Sequence, residues 1–385
     1  MTHVTPLWLP DHQLGVAATL SHADELIGLI STLLFDYQTQ PEGILGLREV
    51  PAGSVSTTVV DTVAPIPRKL PLLVADALVA LRAALEHALF AEVEARDGRL
   101  GEKAARLVEI PAADSYDKFN EWIQRRARNG PPSLREGSEL VARIERLQPF
   151  NRKDSDNHPL TLLTLHTNHA KHRTPAVTAV RLAAAYREDQ RPRSVRDLPQ
   201  RREEPLVAGQ VVAETPIGAR VTVSFFPTVG INRPGTDRWP VLMTELDEIA
   251  YWVRTQAVPR LITGDEPPEP ALPIRYDISI GHHDERGAMV PSSTVSAAKR
   301  HQQRLAAAVV RTDLVDTIGQ MEDAPAAGLI AAWLASLSDE QVLERVSRLK
   351  RTETYHRDIV LENFAILEGL RDEVAAFVDS ELVPE

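Results

Sequence analysis

The sequence contains no cysteine. Disulfides, thiolate catalysis and cysteine-ligated metal centres are therefore excluded. Long apolar runs are missing as well. No window approaches the ~18 consecutive apolar residues of a membrane-spanning helix, and no basic segment followed by an apolar stretch marks a secretory leader near Met1. These absences lead to the expectation of a soluble, cytoplasmic protein without a membrane partner. The chain also lacks a G-x-S-x-G elbow, a P-loop, a dinucleotide fingerprint and an H-E-x-x-H motif. No internal repeat is found. Positive charge is in deficit, with a formal net charge of -11. Such a chain is not primed to bind nucleic acid non-specifically, so any contact with RNA must use a local basic patch.

What is present is a strong helical pattern. The segment Leu70–Glu94 places Leu73, Ala77, Leu81, Ala84, Leu85, Ala88 and Leu89 at three- and four-residue spacing, as one buried helix face requires. Pro71 suits a first helical turn. Apolar residues occupy more than one face, which predicts packing on several sides. Arg82 and Glu86 are four apart and can pair; His87 lies about 100° further round.

The 385 residues suggest about two domains. Residues 1–20 read as irregular. Ser21, with Asp24 three residues on, resembles a helix start. β-branched alternation from Val55 to Val63 predicts a strand, and Pro65 and Pro67 lead into the central helix. Residues 97–113 read as loop. A helix capped by Asp114 carries Phe119, Trp122 and Ile123, and its Arg125, Arg126 and Arg128 suit a helix C-terminus in solvent. Ser133 and Glu136 form a capping box. Pro159 opens a helix that Pro175 ends near Arg173, and a strand follows over 176–183.

Residues 186–205, with Arg187, Arg191, Arg193, Arg196, Arg201 and Arg202 among acids, form an exposed loop. Leu206–Phe226 reads as a hairpin turning at Ile217-Gly218-Ala219. A helix spans Trp239–Val258. The proline- and acid-rich stretch 263–273 is the best boundary in the chain. Ile274–Ile280 reads as a strand, and helices follow from Ser293, one of them opened by the Ser338/Gln341 capping box. The expected organisation is an irregular 1–20, an α+β domain over 21–262, a linker over 263–273 and a mostly helical 274–385. The fold class is α+β, predominantly α: a helical bundle around the central helix with a small antiparallel sheet, plus an α-helical C-terminal region.

His166, His169 and His172 are three apart, and each step of three falls about 60° short of a full turn. The outer two are too far round to share an ion without bending of the helix, and no metal or cofactor is expected. The spacing Arg-x4-His occurs twice, at Arg82–His87 and Arg351–His356.

Leu81-Arg82-Ala83-Ala84-Leu85-Glu86-His87 resembles the LRSALDH helix of an uncharacterised bacterial family. That family's second mark is matched by Leu147-Gln148-Pro149-Phe150, His158-Pro159-Leu160 and Asn168-His169-Ala170-Lys171-His172-Arg173. The resemblance covers roughly residues 20–262. Glu86 and Ala170 stand where the family has aspartates. The Arg-x4-His helix is in turn distantly similar to HEPN-type helical domains, many of them metal-free ribonucleases of defence systems.

Each motif sits on a helix that otherwise buries leucine and alanine, and buried polar groups must find one another, so the two motifs are expected to meet in a basic polar site. Arg82, His87 and His172 would be its catalytic candidates, and Glu86, Gln148, Asn168, Lys171 and Arg173 its binding residues. Two functions stay open: a binding or structural protein holding an anion or nucleotide, and a metal-independent ribonuclease. A homodimer is compatible with either.

Overall fold

The computed structural model describes residues 8–190, 201–218, 221–264, 266–290, 293–350, 352 and 354–381. Arg191, Arg193, Arg196, Ala219 and Arg351 lie outside the described residues. The chain divides into two compact units, the first running to Ala298 and the second beginning at Lys299.

In the first unit α1 spans Leu14–Gln38 and α2 spans Lys69–Asp97, ending at Gly98. Gly98 takes φ 79°, a conformation glycine adopts without a Cβ clash. Between these helices β1 (Leu45–Ala52) and β2 (Val55–Val63) form an antiparallel hairpin. Five short helices follow: α3 (Glu102–Ala105), α4 (Tyr116–Arg126), α5 (Glu139–Arg146), α6 (Pro159–His172) and, after the strands, α7 (Leu242–Trp252). The strands are β3 (Thr178–Arg187), β4 (Val211–Pro216) and β5 (Val223–Ile231). A π-helical turn at Val253–Ala257 joins α7 to α8 (Val258–Thr263), and α9 (Glu285–Met289) completes this part.

The alternation of small and large apolar residues lets α2 pack on α1, α6 and α8. Leu70, Val74, Leu81, Leu85 and Leu89 are buried, so the central-helix reading is what the structure shows. The two sheets are small and antiparallel, ordered β1-β2-β4 and β3-β5. The fold is α+β and predominantly α.

In the second unit α10 (Ala297–Gly319, its first two residues counted with the first unit), α11 (Ala327–Ser336), α12 (Asp339–Ser347) and α13 (Arg357–Glu381) enclose Leu314, Ile318, Ile330, Trp333, Leu334, Leu370 and Val374. The Ser338/Gln341 capping box is present, with Ser338 Oγ accepting from Gln341 N at 3.2 Å.

Several local expectations are corrected. Helix α1 begins at Leu14, seven residues before Ser21. Ser21 and Asp24 do not cap it. They are buried inside it and accept the backbone N–H groups of Tyr276 (3.2 Å) and Ala297 (2.9 Å). Residues 274–298 are thereby fastened to the first unit, and the stretch 263–273 is no boundary between the units. Arg254 adds to this fastening by donating to Leu20 O and Pro273 O.

The segment 274–280 forms only a single bridge, Arg275–Ser293. The hairpin over 206–226 is not formed, because β4 pairs with β2 while β5 pairs with β3. Ser138, not Ser133, caps α5, and Ser133 instead bonds Asp97. Ser115, not Asp114, caps α4. Arg126 is buried: its guanidinium lies 4.0 Å from the Trp122 ring and bonds Leu107 O and Glu109. Hydrogen bonds and a ring face thus replace the expected solvent.

Candidate functional site

Arg82 and Glu86 sit one turn apart on α2 and form an ion pair at 2.6 Å. Helix geometry makes this pair, as their spacing predicts. Both then grip the backbone of the same residue, Ile110. Arg82 donates to Ile110 O (2.5 Å), and Glu86 accepts from Ile110 N (3.0 Å). The loop after α3 buries Ile110 and Ala113, so its backbone groups need partners. Gln148 supplies a third anchor, accepting from Ala113 N at 3.0 Å and donating to Ile144 O. Three of the eight residues singled out in the sequence therefore hold a loop.

Nη1 of Arg82 donates to Thr164 Oγ1 on α6 at 3.0 Å. The first motif thereby reaches the helix of the second, one turn before Asn168. Burial pushes the Glu86 pKa up, against the opposing pull of Arg82 and of the Ile110 N–H.

His87 points elsewhere. It is exposed and its Nδ1 lies 3.3 Å from Thr19 Oγ1 on α1. The Thr19 hydroxyl gives its single hydrogen to Gly15 O, so Nδ1–H of His87 donates. Asn168, Lys171, His172 and Arg173 are all exposed at the end of α6. Among the described residues no hydrogen bond or ion pair joins these four to Arg82, Glu86 or His87. No group of three or more histidines, aspartates or glutamates able to hold a metal ion occurs among the described residues.

A second polar constellation, not anticipated from sequence, runs beside α6 from Asn157 to His166. Glu245 on α7 is 1% exposed. It accepts two bonds from Arg233, at 2.9 and 2.7 Å, the bidentate geometry that a guanidinium and a carboxylate favour. His166 Nε2 is 3.3 Å from the same carboxylate. Burial raises the Glu245 pKa, but hydrogen bonds from His166 and Arg233 outweigh it and the net direction is down. An ionised carboxylate only accepts, so His166 carries its proton on Nε2. Arg233 and Arg238 converge on Asn157 Oδ1, Arg238 at 2.8 Å, and Arg238 also pairs with Glu203 at 3.0 Å.

Beside them His158 caps α6 with Nδ1, accepting from Leu160 N at 3.2 Å, and meets Trp252 edge-on at 5.1 Å. Burial, with a smaller contribution from Arg152, pulls the His158 pKa down to about 4. One cue to this constellation was within reach in sequence: Glu245 interrupts the apolar face of Leu242, Leu246 and Ile249. Its partner Arg233 lies in the turn after β5, which no periodicity marks.

The fold and these sites define an α+β protein with well-satisfied buried ion pairs. Compared with protein-family models, curated proteins and solved structures, the chain matches none. Among the described residues, no helix is long and apolar enough to cross a membrane.

Proposed function

We propose that the protein acts by binding rather than by catalysis, and that the exposed end of α6 takes an anionic ligand: a phosphate group, free or carried by a nucleotide or RNA. The observation that carries this reading is a local surplus of positive charge. Lys171 and Arg173 are exposed and make no ion pair among the described residues, with His172 between them. The negative pole of a helix amounts to about half a charge, so two full cations more than neutralise it. The acidic chain as a whole repels polyanions, which confines any contact to such a patch.

Metal-free RNA cleavage draws less support. It would need His87 and His172 over one phosphate, whereas His87 bonds Thr19 and Arg82 is occupied by Glu86, Ile110 and Thr164.

The test is titration with inorganic phosphate and a short oligoribonucleotide while salt rises from about 50 to about 200 mM. Affinity should fall with salt, Lys171→Ala with Arg173→Ala should abolish it, and the RNA should stay intact. Binding that ignores salt or survives the double substitution would refute the reading.

A further inference from the structure

The β1-β2-β4 sheet carries a groove that the α6 reading does not use. Its floor is one pleated face. Leu47, Glu49 and Pro51 alternate onto it from β1, and the register sets Glu49 opposite Thr58, Pro51 opposite Ser56 and Ser56 opposite Thr215. The wall is built from Pro216–Gly218, Val221–Val223 and Phe225, and the open groove has a volume of about 740 Å³. That falls within the ~300–1,000 Å³ range of small-molecule sites.

Apolar side chains dominate the lining, and among its described residues Glu49 is the one charged group. Two hydroxyls hold the Glu49 carboxylate, Ser56 Oγ donating at 2.5 Å and Thr58 Oγ1 at 2.6 Å. These bonds keep its pKa below the ordinary carboxylate value. A carboxylate offers about four acceptor positions, so two remain open. Among the described residues no cation pairs with it: the neighbouring Arg48 pairs with Asp61, at 3.2 Å. A fixed, oriented negative charge within apolar walls is complementary to a positive charge on an apolar body. Burying a carboxylate beneath a neutral ligand would instead leave it unpaired.

From this complementarity we infer that the groove binds a small organic cation, an ammonium or guanidinium group on an aryl or alkyl body, with Glu49 as the counter-charge. The inference is independent of the α6 reading and fails or stands by itself.

Calorimetric titration of the full chain with 4-phenylbutylamine, 4-phenylbutanol and 4-phenylbutyrate tests it, since the three probes share one shape and differ in charge. The amine should bind at least about tenfold more tightly than the other two. Glu49→Gln is isosteric and exposed, so it leaves the fold intact. It should erase that preference and leave the weak binding of the alcohol unchanged. Equal affinity for the three probes, no amine binding at ~1 mM, or an amine affinity unmoved by Glu49→Gln would overturn the inference. So would a lysine-containing peptide that binds at Glu49 when the free amine does not, because it would mark the groove as a docking site for a protein.

Discussion

Acidification should loosen the first unit through His158 before its carboxylates titrate. The Nδ1 of His158 accepts the Leu160 N–H at the start of α6. A proton added there would face that N–H at the positive end of a helix, with the Arg152 charge nearby and Trp252 against the ring. The folded chain therefore keeps the imidazole neutral down to about pH 4, whereas the unfolded chain protonates it near 6.5. Between these values the unfolded state holds more protons, so stability rises with pH. The contribution is complete above about 6.5 and is lost as pH falls towards 4. The shift corresponds to about 3 kcal/mol.

The assay is urea denaturation between pH 7.5 and pH 4.5 on the natural chain and on His158→Asn, which can still cap a helix but does not titrate. The natural chain should lose about 2.5 kcal/mol more than the variant over that interval, most of the full shift. Histidine NMR should find one resonance that does not move until pH approaches 4. A His158 resonance titrating near 6.5, with equal pH slopes in the two proteins, would refute the reasoning.

Two further outcomes follow from buried charge. Glu245→Ala strands Arg233 in the interior and should cost about 3–5 kcal/mol in chemical denaturation, whereas replacing Glu245 and Arg233 together by apolar residues should cost clearly less than the sum of the single changes. A fragment ending at residue 298 should unfold cooperatively, whereas one ending at 262 should not, because Arg254, Ser21 and Asp24 lose Pro273, Tyr276 and Ala297. Circular dichroism melts distinguish the two fragments.

What sequence made legible was local. The core face of α2, its Arg82–Glu86 pair, the opening of α6 at Pro159 and the Ser338 box all depend on residues within about one turn of each other, where spacing alone decides geometry. What it left hidden was long-range. Ser21 and Asp24 have the pattern of a cap, and only their distant partners reveal a different use. Turn residues at 217–219 suggested a hairpin, yet the two arms pair with β2 and β3, a choice made by tertiary packing. Arg82 and Glu86 were expected to meet the second motif because polar residues on an apolar helix demand partners. The partner proved to be a loop backbone that no motif identifies. Arg126 had the marks of a solvated helix end, and its burial depends on Trp122 lying beneath it.

The fastening of α1 has a temporal side. Ser21 and Asp24 lie 255 and 273 residues before the groups they bond. At about 5–20 residues per second of synthesis, α1 leaves the ribosome roughly 15–50 s before Ala297 is made. Throughout that interval the Ser21 hydroxyl and the Asp24 carboxylate on its inner face lack the Tyr276 and Ala297 N–H groups that they will hold. Closure of the first unit is therefore one of the last events of its own translation, and the nascent chain presents a half-finished polar seam to whatever meets it first.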